Sequence, residues 1–330
     1  MSKNLHPPFN YAAHTIFLAN HGSHAYGTNL PDSDVDTKGI VVAPKEIVLG
    51  FAYEFEQFEI KPEDAPPGTK PEDVIDRVLF DVRKFCLLAA ACNPNIIEVL
   101  FVRDADVLFM SEEGGMLREA REIFLSQAIR ATFSGYAYSQ LGRIETHRKW
   151  LLNPPKVQPD RKDYGLEKVK ISPEMIGAYE ATIEKTRESG GEIEVDPNVM
   201  ELLAAEKRYR TDLKHWNQFL DWQKNRNEKR AALEAKYGYD TKHAMHLVRL
   251  MRMCLEICSG KGVLVYRDDA EELLAIRRGE WSYDHLMEQA TKLQAEAKKV
   301  TAPLPKDPNY AKINDLCVQV QESFWRRSNG

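Results

Sequence analysis

Residues 21–36 read His-Gly-Ser-His-Ala-Tyr-Gly-Thr-Asn-Leu-Pro-Asp-Ser-Asp-Val-Asp, and no other stretch constrains the fold as strongly. The string follows the apolar run Thr15 to Ala19, which reads as a first strand. It enters a second strand from Asp34 to Val42. Side chains of an extended segment alternate, so Asp34 and Asp36 share one face while Val35 takes the other. Two carboxylates that close repel each other unless a cation sits between them. Mg2+ fits best, because it takes carboxylate oxygens and keeps positions for water and phosphate; Mn2+ is the alternative. A small turn at Gly22 and Ser23 lets backbone N–H groups and the Ser23 hydroxyl approach a phosphate, and Gly27 suits the return. An isolated pair of aspartates is commonly just an acidic turn. Phosphate turn, glycine return and paired carboxylates in this order argue for a site.

Several blocks carry a family resemblance. They are Gly22-Ser23 with Tyr26-Gly27-Thr28, Ser33 to Asp36 with Gly39-Ile40, Leu79 to Phe85, and Asn93-Pro94-Asn95 with Glu98-Val99-Leu100. Together they resemble the DNA polymerase beta-like nucleotidyltransferase superfamily, and within it the nucleotidyltransferases that include the RNA-ligase-associated branch. Lys242 to Leu250 resembles the same family's carboxy-terminal helical motif.

The resemblance implies two metal ions held by three carboxylates, serving in-line attack of a hydroxyl on the alpha-phosphorus of a nucleoside triphosphate, with ATP among the donors. Pyrophosphate leaves. The acceptor implied is an RNA end, a protein or a small molecule, and the branch raises a role in RNA repair. Asp34 and Asp36 carry over as metal ligands, Ser23 as the phosphate contact, and Gly22, Tyr26 and Gly27 as its surroundings. The third carboxylate is expected to be Asp81, delivered by a neighbouring strand through Val78-Leu79-Phe80; Asp76, Glu98 and Glu56 are rivals. The alternative function is a catalytically silent nucleotide or nucleic-acid binding protein on the same fold.

Two further sets of cations are candidates for the nucleotide. Lys84 follows Asp81 at the start of a predicted helix. Lys242, His246 and Arg249 fall at i, i+4 and i+7 of a predicted helix from Thr241 to Ser259, forming a polar stripe beside an apolar face. Arg249, with a permanent charge and a planar donor array, is the strongest candidate among them. An ion-pair network is the competing reading of this stripe.

A chain of 330 residues is expected to divide into two domains. The pattern predicts an α+β architecture: a nucleotidyltransferase domain with a mixed sheet over 1–115, then a mainly helical substrate-binding domain over 116–330 with an insertion near 153–197. The proline-rich stretches 51–75 and 153–197 are either lids or inert loops. A net charge of −5 predicts no whole-protein attraction to nucleic acid or to an anionic membrane, although a local basic patch is compatible with it. Cys86, Cys92, Cys254, Cys258 and Cys317 lack zinc-site spacing and read as buried free thiols of a reducing compartment. No apolar run reaches the roughly 18–20 residues that span a bilayer, and the amino terminus lacks a signal-peptide core; a cytoplasmic location without a membrane partner is expected.

Overall fold

The computed structural model describes residues 9–31, 33–61, 75–168, 171–188, 197–226, 228–300 and 303–328. The chain forms two compact units, Met1–Glu145 with Tyr239–Gly330, and Thr146–Gly238. This partition differs from the expected division at 115/116, because the segment from Tyr239 onward groups with the sheet.

The first unit opens with α1 (Tyr11–His14), β1 (Thr15–His21), α2 (Gly22–Tyr26), β2 (Val35–Val41), α3 (Lys45–Leu49), β3 (Gln57–Ile60) and β4 (Ile75–Asp81). There follow α4 (Val82–Ala90), α5 (Pro94–Leu100), β5 (Val107–Met110), α6 (Glu112–Glu119) and α7 (Ala128–Leu152), which runs on into the second unit. The strands form one mixed sheet in the order β3-β4-β2-β1-β5. Among the described residues only β2 and β4 pair in parallel, with Val35 opposite Ile75, Asp36 opposite Asp76 and Val41 opposite Asp81. A parallel pair needs a crossover connection, and α3 with the edge strand β3 lies within it. β1 lies antiparallel to β2, so His21 at the end of one faces Asp36 near the start of the other. Ile16, Phe17, Ile40, Val41, Leu79 and Phe80 bury the sheet's apolar side chains.

Helix starts follow local chemistry. Asp81 caps α4 by accepting from the Arg83 N–H at 3.0 Å. Asn93 caps α5, whose first residue is Pro94, where a missing N–H costs nothing. The second unit holds α8 (Pro173–Glu188), α9 (Pro197–Lys224) and α10 (Glu228–Tyr237). Within it the fully buried Glu206 carboxylate is held by Arg161 at 2.8 Å and Arg210 at 2.7 Å.

The chain returns to the first unit as α11 (Thr241–Cys258), α12 (Ala270–Arg277), α13 (Tyr283–Lys299) and α14 (Tyr310–Ser328). Among the described residues no strand follows β5, so a mixed-sheet amino-terminal part precedes an all-helical one, as expected. All five cysteines are free and buried. No helix of the described residues is long and apolar enough to cross a membrane.

α14 packs on α4 and α6. Glu113 in α6 has no exposure and accepts from Ser111 at 2.7 Å and from Arg327 of α14 at 3.0 and 3.1 Å. Burial would raise its pKa, but the bonds from Ser111, its own backbone N–H and Arg327 outweigh that and hold the carboxyl below its usual range. Glu113→Ala is expected to lower stability by about 1–3 kcal/mol, leaving α14 as the first element to exchange amide hydrogens. Chemical denaturation with hydrogen-exchange mass spectrometry checks this; unchanged protection of α14 would contradict it.

Candidate active site

The site is built where β1 hands over to α2. Gly22 has φ +61°, a conformation that side chains resist, and a Cβ there would lie 2.3 Å from Asp36 Oδ2. Only glycine lets the carboxylate rest against this turn. Gly27 ends α2 at φ +73°, and the ring of Tyr266 would be 2.6 Å from a Cβ at that position. Between them the half-buried Ser23 accepts the Thr28 N–H on its carbonyl at 2.9 Å, closing the short helix. The Arg267 N–H bonds to the Tyr26 carbonyl at 3.0 Å, fastening the segment after α11 to the same turn.

Asp34 is exposed just before β2, and Asp36 is half-buried two residues later, so both share a face. The parallel register sets Asp76 directly beside Asp36. Burial first, and then the charges of Asp76 and Asp34, push the Asp36 pKa up against the opposing pull of Lys242 and Lys38. Asp76 is likewise raised, by burial, Glu59 and Asp34. Carboxylates thus gather beside the glycine turn, with Asp36 pressed against it and raised by its acidic neighbours.

Asp81 does not join them. It stands opposite Val41, five residues further along the ladder, about 16 Å away at the rise of an extended strand. Its carboxylate caps α4 and pairs with Arg83 at 2.7 Å. The rival Glu56 lies at that same end, where its carbonyl accepts the Asp81 N–H at 2.8 Å and its carboxylate holds Lys84 at 2.6 Å. Lys84 is thus engaged on α4 and is not brought to the Gly22 turn. The acid that register supplies to Asp34 and Asp36 is Asp76.

Behind the turn lies a buried network. Glu98, fully buried on α5, accepts from Tyr26 Oη at 2.5 Å and from Arg249 Nη1 at 2.6 Å. The Arg249 guanidinium also lies 3.7 Å from the Tyr26 ring centroid. Arg249 is 3% exposed, so the expected phosphate-facing role is corrected: its charge is directed inward, to Glu98. Tyr26 is a member of the same network. Lys242 and His246, a turn or two earlier on α11, are half-buried; the charge of the first bears on Asp36 and that of the second on His21.

Two residues to which the sequence pattern assigned no role also lie beside Asp36. Lys38, next after Asp34 and Asp36 on their face of β2, donates to the Asn95 carbonyl at 2.9 Å. Burial pushes its pKa down to about 8 even though Glu98 and Asp36 draw it upward. His21, register partner of Asp36, is held well below its usual pKa by burial and by the nearby Lys38, Arg249 and His246, and so is neutral. The same alternation that singles out Asp34 and Asp36 leads on to Lys38.

A glycine turn packed against paired aspartates on a mixed sheet, with helices to follow, is the arrangement that the sequence's resemblance to the DNA polymerase beta-like nucleotidyltransferase class implies. Residues 6–154 match the model of RlaP, the RNA repair pathway DNA polymerase beta family, so the amino-terminal part of the chain matches an RNA-repair-associated nucleotidyltransferase family of that class. The match supports nucleotidyltransferase-type chemistry in general. The chain is also similar to a protein of Enterobacteria phage T4 described as an uncharacterized 38.9 kDa protein in the nrdC-mobD intergenic region, with 34% identity over 87 residues, about a quarter of either chain. No solved structure is a significant match to the chain.

Removing one partner of the buried pair strands the other. Arg249→Ala is expected to cost about 3–5 kcal/mol, whereas the Glu98→Gln and Arg249→Met double variant recovers much of that loss. Urea unfolding of both singles and the double checks the coupling; additive losses would contradict it.

The raised Asp36 pKa has the opposite sign. A carboxyl that binds its proton more tightly when folded destabilises the fold above its folded pKa, and the penalty vanishes below the unfolded value. In chelator at pH 7, Asp36→Asn should therefore raise the melting temperature by roughly 1–3 °C. That gain shrinks as pH falls through the carboxylate range. Adding Mg2+ should stabilise the parent more than the variant, and thermal scans with and without metal measure both.

Proposed function

We propose that this chain transfers a nucleoside monophosphate from a nucleoside triphosphate to a hydroxyl acceptor, RNA among the candidates, with Mg2+ as the metal. The observation that carries the reading is the register that sets Asp76 beside Asp36, with Asp34 on the same strand face and the Gly22–Ser23 turn packed against them. Asp34, Asp36 and Asp76 are the residues that would hold the metal. When bound, the metal supplies a more acidic attacking hydroxyl and neutralisation of the phosphates.

The chain's own residues do the rest. Backbone N–H groups of the Gly22–Ser23 turn and the Ser23 hydroxyl orient the triphosphate, with its alpha-phosphorus toward the carboxylates. The acceptor oxygen forms a bond to that phosphorus as the bond to the departing oxygen breaks. Pyrophosphate leaves, and the acceptor proton passes to solvent. Lys242 and His246 supply positive or hydrogen-bonding character on the helical side. Lys38 balances the charge of Asp36 and Asp76 from within the same strand pair. Arg249 acts at one remove, by fixing Tyr26 and with it the turn.

The test uses each of the four triphosphates with Mg2+ and RNA, protein or small-molecule acceptors, read as a mass increment and pyrophosphate release. Asp34→Asn, Asp36→Asn and Asp76→Asn are each expected to lower the rate ~100-fold or more while the protein stays folded. Asp81→Asn should leave the rate near the parent's and act only on stability, by less than about 1 kcal/mol, through loss of the Arg83 ion pair while the asparagine keeps the helix cap. Parent-like turnover by a folded Asp76 variant, together with an inactive but folded Asp81 variant, would reverse the assignment of the third carboxylate. Triphosphate binding without transfer to any acceptor would favour a silent binding protein.

A further inference from the structure

The second unit, taken by itself, contains a cavity of about 400 Å3 that the nucleotidyltransferase site does not involve. Trp150, Trp216 and Tyr164 line it, with Lys149, His215 and Asn153 among its polar residues. Both indoles are half-buried, and neighbours support them. Trp150 packs on Trp222 at 5.3 Å and edge-on to Phe219 at 5.8 Å between ring centroids. His147 stacks on Trp150 at 5.7 Å and an interplanar angle of 20°. Trp216 leans on the buried Phe219 at 6.2 Å. Tyr164 donates to Asp212 at 2.6 Å and meets Tyr209 edge-on at 5.5 Å, so its ring is also held. Rigid aromatic groups that still border open space are suited to receive a flat, apolar-faced ligand at low entropic cost.

The polar groups narrow the ligand class. Asn153 has the donor and acceptor pair that matches the edge of a base, and Lys149 and His215 are exposed. The unit carries 18 Lys and Arg against 16 Asp and Glu, a balance of +2 within a chain whose net charge is −5. Aromatic platforms beside a lysine and a hydrogen-bonding imidazole in a locally positive unit suit a single strand, since every base offers a π-face and every linkage a phosphate.

We propose that this cavity binds an unstacked base of a single-stranded nucleic acid, stacked against Trp150 and Trp216, with the adjoining phosphates at Lys149 and His215. The cavity's size suits a single nucleotide better than a stacked duplex end. This binding is separate from the transfer chemistry and requires neither triphosphate nor metal.

The experiment titrates the full chain into labelled eight-nucleotide single-stranded RNA and DNA, each beside its duplex, in chelator without triphosphate. Fluorescence anisotropy gives the affinity, and tryptophan quenching reports stacking. Single strands of one or both sugars should bind with quenching, and duplexes at least tenfold more weakly. Trp216→Ala should weaken binding about 5–100-fold, and Trp216→Phe should retain most of it. Lys149→Gln, an exposed change that leaves the aromatic cluster intact, should flatten the salt dependence by about 0.7 in the logarithmic slope. Circular dichroism confirms that each variant is folded. The proposal is overturned if the parent binds no single strand, if strand and duplex bind alike, if folded Trp216→Ala binds as the parent does, or if a proline-rich peptide occupies the cavity in preference to RNA. Because no metal or triphosphate is present, none of these outcomes bears on Asp34, Asp36 or Asp76.

Discussion

A single buried carboxylate holds the sheet-bearing unit of this protein together. Glu98 has no contact with solvent, and a lone charge so placed would cost several kcal/mol. It is met by Arg249 from α11 and by the Tyr26 hydroxyl from α2, and the guanidinium also covers the Tyr26 ring. Three elements distant in sequence therefore find their mutual positions through one anion. One of them is the short helix that opens with Gly22 and Ser23, so this glycine turn inherits its position from a contact at its rear. Lys38 adds a second tie, reaching from β2 to the carbonyl of Asn95 at the head of the Glu98 helix.

The front of the site has the opposite character. Asp34, Asp36 and Asp76 come from adjacent strand segments, and burial and neighbouring carboxylates raise two of their pKa values: Asp76 and Asp34 act on Asp36, and Glu59 and Asp34 on Asp76. A fold optimised only for stability would have removed at least one of them. Lys38 and Lys242 relieve part of that repulsion, and the remainder is what a cation would relieve.

How much of this was legible follows the range of the interactions. The strand ending in the glycine turn and the shared face of Asp34 and Asp36 depend on neighbours within a few residues, and the strand period exposes them. The later helices were legible for the same reason, whereas the mixed sheet was legible through the family resemblance rather than through local pattern. Asp76 and Asp81 sit at opposite ends of one apolar run, and only the parallel register with β2 distinguishes them. Register is a long-range property, and Asp81 had a local use as a helix cap that a sequence pattern does not separate from catalysis. The stripe of Lys242, His246 and Arg249 was equally local, but its third member turns inward to an acid 151 residues away. Helical spacing alone does not reveal that partner. Lys38 could have been found, since it continues the alternation of the two aspartates by one more step.

The reach of that ion pair matters during synthesis. Glu98 leaves the ribosome 151 residues ahead of Arg249, an interval of about 8–30 s at about 5–20 residues per second. Throughout that time the sheet and α5 lack the cation that makes the interior of this region tolerable for a carboxylate. The whole of the second unit is synthesised in between. The nascent amino-terminal region therefore cannot bury Glu98 in its final setting until α11 arrives, so the packing of the Gly22–Tyr26 helix against that carboxylate is one of the last events of folding.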